Sequence, residues 1–157
     1  AFWAGPAFAE SHAASLTEDQ TEVLGCLERL EAEEQPSEWS QCLNLIFEPC
    51  MQETVGSEPH LNCLSEQRVT WLTVSEDLEA KVMETVTPQG VTDLTELLDF
   101  WADYVVQKCQ TVAENKAGIS AQAAQLGCEV TEIVGLSGEY VACLEGRSEA
   151  QYCVLPE

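Results

Sequence analysis

Residues 101–128, WADYVVQKCQTVAENKAGISAQAAQLGC, decide the fold, because the sequence predicts two helices joined by a turn within them. Gly118 is expected to end the first of these helices, and Ser120 to cap the second. An amphipathic first helix is indicated by apolar residues at helical spacing, namely Leu94, Leu98, Trp101, Val105 and Val112. The stretch therefore predicts an antiparallel helical hairpin.

Two cysteines lie at matching distances from the turn of this hairpin. Cys109 precedes Gly118 by nine residues, and Cys128 follows Ser120 by eight. At a rise of ~1.5 Å per residue, both cysteines stand roughly 12 to 14 Å from the turn. Two antiparallel helices bring them to the same height, as a disulfide requires. We expect a Cys109–Cys128 disulfide; the alternative is two unconnected buried cysteines.

The other six cysteines indicate a wider disulfide framework. Sequence alone does not fix the pairing of eight cysteines, but hairpin geometry favours neighbours along the chain. These neighbours are Cys26 with Cys42, Cys50 with Cys63, and Cys143 with Cys153. An even cysteine count favours an oxidising compartment, so we expect a periplasmic or secreted protein. No Cys-x-x-Cys pair occurs, which disfavours structural zinc and thioredoxin-type redox chemistry.

The rest of the sequence is helical in pattern, and no alternating segment of strand length is convincing. Helix starts are expected at Thr17, Ser37, Thr92 or Asp93, and Ser120, and a long third helix is expected through residues 61–82. Gly135 and Gly138 are expected to weaken the fifth helix, with residues 140–144 as a short last one. The predicted class is all-α, a disulfide-stapled bundle of about five helices arranged as helical hairpins.

Residues 1–9, AFWAGPAFA, differ from the remainder because they are apolar and uncharged. They are typical either of the end of a signal peptide or of an apolar N-terminal arm that packs through Phe2, Trp3 and Phe8. Residues 10–157 are expected to form a single helical domain. No run approaches the ~20 apolar residues of a transmembrane helix, so we expect no membrane span.

The charge of the chain is strongly acidic, with 28 Asp and Glu against 6 Lys and Arg, a formal net charge of −22. Nucleic acid is excluded as an expected partner, because phosphate binding needs positive charge. A cationic partner is favoured, as is high salt, in which an acidic surface stays soluble. The densest acidic cluster is Glu28, Glu31, Glu33 and Glu34, which we expect to contribute to partner binding.

Features between Cys50 and Cys128 occur in the order that is found in a known family. The residues that carry the likeness are Cys50-Met51, Cys63-Leu64-Ser65-Glu66, Trp71, Leu78, Trp101-Ala102-Asp103-Tyr104, Cys109 and Cys128. From about Cys50 to Val141 the chain resembles the lysozyme inhibitor LprI N-terminal-like domain family. Where that family often has arginines, this chain has Val105 and, in the last helix, Gly138 nearby. The resemblance implies a secreted or periplasmic protein that binds a protein partner such as lysozyme.

Catalytic signals are poor. The segment Gly135-Leu136-Ser137-Gly138 is not a nucleophile elbow, and no Gly-rich phosphate loop occurs. His60 is interpreted as a surface residue at a helix start, and Trp71 and Trp101 as core anchors. We expect no enzymatic activity, no cofactor and no metal.

Two functional interpretations from different classes remain open, together with a plainer one. The first is a secreted inhibitor or binder of a cationic protein such as lysozyme. The second is a structural accessory subunit on the outer, periplasmic face of a larger assembly, held by the apolar arm. The third is a stable acidic protein from a salty habitat whose partner the sequence does not name.

Overall fold

The computed structural model describes residues 18–35, 38–43 and 49–157, and every regular element within them is helical. The α-helices are α1 (Glu18–Ala32), α2 (Trp39–Leu43), α3 (Glu58–Thr85), α4 (Pro88–Ala113) and α5 (Gly118–Leu144). A 3₁₀ turn covers Pro49–Gln52. The all-α prediction is confirmed. The predicted count of about five bundle helices is slightly off, because only four helices of the described part are long and α2 has five residues.

Two predicted helix starts are wrong. Helix α4 begins at Pro88 rather than at Thr92 or Asp93, because Thr87 is its N-cap: the Thr87 hydroxyl accepts a hydrogen bond from the Gly90 N–H at 3.3 Å. Proline is favoured in the first turn of a helix. Backbone N–H groups there have no partner within the helix, so the missing N–H of proline costs no hydrogen bond. The expected end of the preceding helix at Gly118 is also wrong, because α4 ends at Ala113. Helix α5 begins at Gly118, which has φ +59°, so Ser120 lies inside the helix rather than capping it.

Helix α5 is continuous through the two glycines that were expected to weaken it, and residues 140–144 are its last part rather than a separate helix. A glycine inside a helix costs about 0.5 to 1 kcal/mol relative to alanine. Burying one large apolar side chain stabilises by about 1.5 to 3 kcal/mol. Ile133, Leu136 and Tyr140 are all buried beside these glycines, so packing outweighs the local cost.

Helix α5 is the shared partner of α3 and α4. It packs against both α3 and α4, most extensively against α3, while α1 packs on α2 and α3. The largest fully buried side chains come from all four long helices, and include Trp71, Tyr140, Leu27, Leu78, Leu94 and Ile133. Trp71 is therefore in the core, as expected from the sequence. Trp101 is only partly buried and packs at the edge of the core.

The described residues contain four disulfides, and they join the neighbours that hairpin geometry favours. Their Cα–Cα distances are 5.7 Å for Cys26–Cys42, 5.5 Å for Cys50–Cys63, 5.4 Å for Cys109–Cys128 and 5.6 Å for Cys143–Cys153. They tie α1 to α2, the 3₁₀ turn to α3, α4 to α5, and the end of α5 to the C-terminal tail, residues 145–157.

Lys81 of α3 fastens the first two helices to the bundle. Its ammonium group lies 2.8 Å from the Asp77 carboxylate and 3.5 Å from that of Glu31 on α1. It also stands 5.3 Å from the ring centroid of Trp39 on α2, a cation–π distance. The Lys81 ammonium group thus connects α1 and α2 to α3.

The Cys109–Cys128 disulfide should contribute measurably to the free energy of unfolding. Replacing both cysteines by alanine should lower the free energy of unfolding by about 2 to 5 kcal/mol, because the cross-link restrains the unfolded chain. Urea unfolding of the double variant without reductant measures the loss. A loss below about 0.5 kcal/mol, or free thiols at both positions in peptide maps of the native protein, would contradict it.

Candidate binding groove

Two adjoining cavities form a groove between α4, α5 and the C-terminal tail. Their volumes are about 420 Å³ and 400 Å³, and both are lined by Leu97, Ala150 and Tyr152. The first cavity adds Asp93, Glu96, Phe100 and Gln151, and the second adds Trp101, Glu132, Gly135, Leu136 and Glu139. We call this surface the α4–α5 groove. Such volumes lie in the range of ligand pockets in proteins.

Helix α4 supplies one wall of the groove through Leu97 and Phe100, which belong to a second apolar stripe. Its inner stripe includes Leu94, Leu98 and Val105, which are buried. Its outer stripe, Leu97, Phe100 and Tyr104, follows the i, i+3, i+7 spacing of one helix face. These three side chains are 45%, 80% and 53% exposed. The sequence carried this signal, since two stripes on one helix exceed what a single core-facing side needs.

The second wall is the C-terminal tail, which lies against the start of α4. The Cys143–Cys153 disulfide holds the tail to α5, and the Thr87 N–H donates a hydrogen bond to the Val154 carbonyl at 2.9 Å. The tail backbone comes so near that a Cβ placed on Gly90 would lie 2.4 Å from the Tyr152 carbonyl oxygen. Gly90 is therefore required by a close approach of two backbones.

The floor of the groove is open at Gly135 of α5. A Cβ placed on this residue meets nothing within 4 Å. Trp101 of α4 and Leu136 of α5 line the same cavity as this glycine. The floor is thus apolar and lacks a side chain at Gly135.

Carboxylates form the rim of the groove. Asp93 and Glu96 belong to the α4 side, and Glu132 and Glu139 to the α5 side. Lys108 donates a hydrogen bond to Glu132, and this bond raises the pKa of the Lys108 ammonium. An apolar floor inside a carboxylate rim suits a ligand that is both apolar and cationic.

Two tyrosines behind the groove are buried with hydroxyls that have no hydrogen-bond partner among the described residues. They are Tyr140 of α5 and Tyr152 of the tail. Burial disfavours the charged phenolate; it raises the pKa of Tyr152 to about 12 and that of Tyr140 further above its ordinary value. The folded state therefore tolerates these side chains only while they are protonated.

A separate polar cavity of about 300 Å³ lies between α3 and α5. Within it, Arg68 Nε lies 2.7 Å from Glu129 Oε2, and the Glu129 side chain is 7% exposed. Burial lowers the pKa of Arg68, while the Glu129 carboxylate opposes that change. Each charge neutralises the other, so the pair joins two helices.

The structure does not gather the sequence-predicted binding residues at the groove. The acidic cluster, Glu28, Glu31, Glu33 and Glu34, is exposed on α1 and the turn after it, and none of its members lines the groove. Glu31 is also paired with Lys81. The predicted arm residues Phe2, Trp3 and Phe8 lie outside the described residues.

The remaining sequence interpretations concern metal, histidine and membrane. No group of three or more His, Cys, Asp or Glu side chains in the described ranges could hold a metal ion. His60 is half-buried, and its Nδ1 accepts a hydrogen bond from the Gly56 N–H at 3.3 Å. In the same part of the chain, no helix combines the length and apolar character needed to span a membrane.

Replacing Gly90 by alanine should displace the tail and destabilise the fold. The new Cβ would meet a backbone oxygen, which is not free to swing aside, so we expect a loss of about 1 to 3 kcal/mol. Gly127→Ala is the matched control, since a Cβ there meets nothing within 4 Å and alanine is the better helix former. Urea unfolding compares the two; a Gly90→Ala protein as stable as the control would contradict the close approach.

Alkaline pH should unfold the protein partly through Tyr152. The unfolded phenol ionises near its ordinary pKa of about 10, whereas the folded one resists until about 12. Stability from this group is therefore complete below pH ~10 and is lost as the pH rises from there towards 12. Tyr152→Phe should be at least as stable as wild type at pH 7, because it removes an unpartnered hydroxyl. Chemical unfolding at pH 9, 10 and 11 should show a smaller loss in this variant; equal losses would contradict it.

Comparison of the chain with protein-family models, with curated proteins and with solved structures found no match in any of the three.

Proposed function

We propose that this chain is a periplasmic or secreted binding protein, rather than an enzyme, whose partner is a cationic protein. The observation that carries the proposal is the α4–α5 groove, where apolar side chains stay exposed inside a rim of carboxylates. Exposed apolar patches of this kind mark interaction sites on soluble proteins. The disulfides favour an oxidising compartment.

The internal ion pairs support a cationic partner. Arg68, Lys81, Lys108 and Arg147 each pair with a carboxylate of the same chain, so most of the six basic residues are already used. A large excess of acidic side chains remains. Such an excess accelerates encounter with a positively charged protein through long-range attraction.

Lysozyme is the first candidate partner, for two reasons. It is cationic, and the resemblance of residues 50–141 to LprI-type lysozyme inhibitors points to the same target. In this proposal the groove supplies specific contacts. The acidic cluster on α1 supplies attraction at a distance, which affects the association rate more than the final affinity.

The test measures lysozyme activity in the presence of this protein across a salt series. An unrelated protein of equal negative charge serves as control. We expect inhibition by this protein to persist at ~0.15 M salt, where screening acts over about 8 Å, and inhibition by the control to vanish. If both proteins slow lysozyme equally and both effects vanish, the binding is unspecific and the accessory-subunit alternative is preferred.

Two charge-matched variants then locate the contact. Glu96→Gln/Glu139→Gln removes two rim carboxylates, and Glu33→Gln/Glu34→Gln removes two from the acidic cluster, with the same change in net charge. The rim variant should weaken lysozyme binding several-fold more at ~0.15 M salt, because short-range contacts are screened less than distant charges. Equal weakening by both variants would contradict recognition at the groove.

A further inference from the structure

The gap over Gly135 distinguishes the α4–α5 groove from a merely flat apolar face. Four glycines of α5, Gly118, Gly127, Gly135 and Gly138, have open space where a Cβ would stand. Of these, Gly135 lines the groove. The helix has room for a side chain there, and glycine is a poorer helix former than alanine. The fold therefore does not require glycine at this position. The open space on the groove floor does require it, because a larger side chain would fill that space.

The surroundings of the gap are suited to one large apolar group. Trp101 and Leu136 line the same cavity as Gly135, and Tyr152 of the tail lines it from the other wall. Phe100, 80% exposed, stands at the adjoining cavity. Aromatic rings favour other flat or bulky apolar groups in offset or edge-to-face arrangements.

The charges around the gap define what must flank that group. Glu132 and Glu139 lie three residues before and four residues after Gly135, so they share its helix face and bracket the gap. Glu96 adds a third carboxylate from α4. Glu132 already pairs with Lys108, so the negative charge available to a ligand group over the gap comes from Glu139 and Glu96.

We propose that the groove binds a basic segment of its partner by seating one large apolar side chain, flanked by lysine or arginine, over Gly135. This inference rests on the proposed function, because it names the chemistry by which a cationic partner is recognised. Charge complementarity gives the sign of the segment, and the apolar floor gives the anchor.

Two short peptides of equal positive charge test the anchor. One is KKAWAKK and the other KKASAKK, each carrying a fluorescein label for anisotropy titration at ~0.15 M salt. The wild-type protein should bind the tryptophan peptide at least about tenfold more tightly, equivalent to ~1.4 kcal/mol, because the ring loses apolar contact with water. Equal affinity for the two peptides, or no binding of either, would overturn the inference.

Three variants test where the tryptophan ring of the peptide binds. Gly135→Leu fills the gap and should reduce the preference for the tryptophan peptide to below about twofold. Gly127→Leu is the matched control, with the same open space on the same helix, and should keep the wild-type preference. Phe100→Ser removes an exposed wall residue and should lower the preference without disturbing the core. A full preference retained in both Gly135→Leu and Phe100→Ser would overturn the inference.

Lysozyme binding by the same proteins separates this inference from the proposed function. Weaker binding by Gly135→Leu than by Gly127→Leu supports both. Equal lysozyme binding by the two variants overturns the anchor and leaves the cationic partner standing. Absence of lysozyme binding by the wild-type protein overturns lysozyme as partner, while the peptide preference still decides the anchor. Circular dichroism verifies that every variant is folded before titration.

Discussion

Helix α5 packs against two long helices, α3 and α4, at the same time. The rest of the structure depends on how its surface is divided between them. Its contacts with α3 are the most extensive in the bundle, and α4 packs on it less fully. Glu129 and Glu132, three residues apart, show the division: Glu129 pairs with Arg68 of α3, and Glu132 with Lys108 of α4. Residues three apart point in neighbouring directions on a helix, so α5 has two adjacent packing faces.

The groove follows from this division. Near the turn, the Cys109–Cys128 disulfide holds α4 close to α5. Towards the start of α4, the tail lies against Gly90, and the Cys143–Cys153 disulfide holds it in place. Leu97 and Phe100 are left exposed where the tail and α5 do not cover them. The same disulfides that stabilise the bundle therefore position the walls of the groove. The groove suits a basic partner with an apolar anchor residue.

The distribution of charge is consistent with this arrangement. Two of the few cations sit between helices, where each holds a carboxylate or a ring from another element: Lys81 with Glu31 and Trp39, and Arg68 with Glu129. Partly buried pairs of this kind are screened less by salt than surface charges. The remaining acidic excess stays on the surface, where it repels other copies of the chain and attracts cations.

The sequence by itself determined the helical class, and it favoured the disulfide partners that the structure has without fixing them. Apolar spacing is a local property, and each cysteine pair closes a short loop across a turn, so neither needs knowledge of distant contacts. The Cys109–Cys128 pair was expected from equal distances to a turn at Gly118, whereas α4 ends at Ala113 and α5 begins at Gly118, so the pair was predicted correctly although the helix ends were not. Only the tertiary structure decided that α3 is the main partner of α5, that the tail lies on Gly90, and that Gly135 opens into a groove. These features join residues far apart in sequence, and a helical pattern gives the direction of a side chain but not the element that it meets.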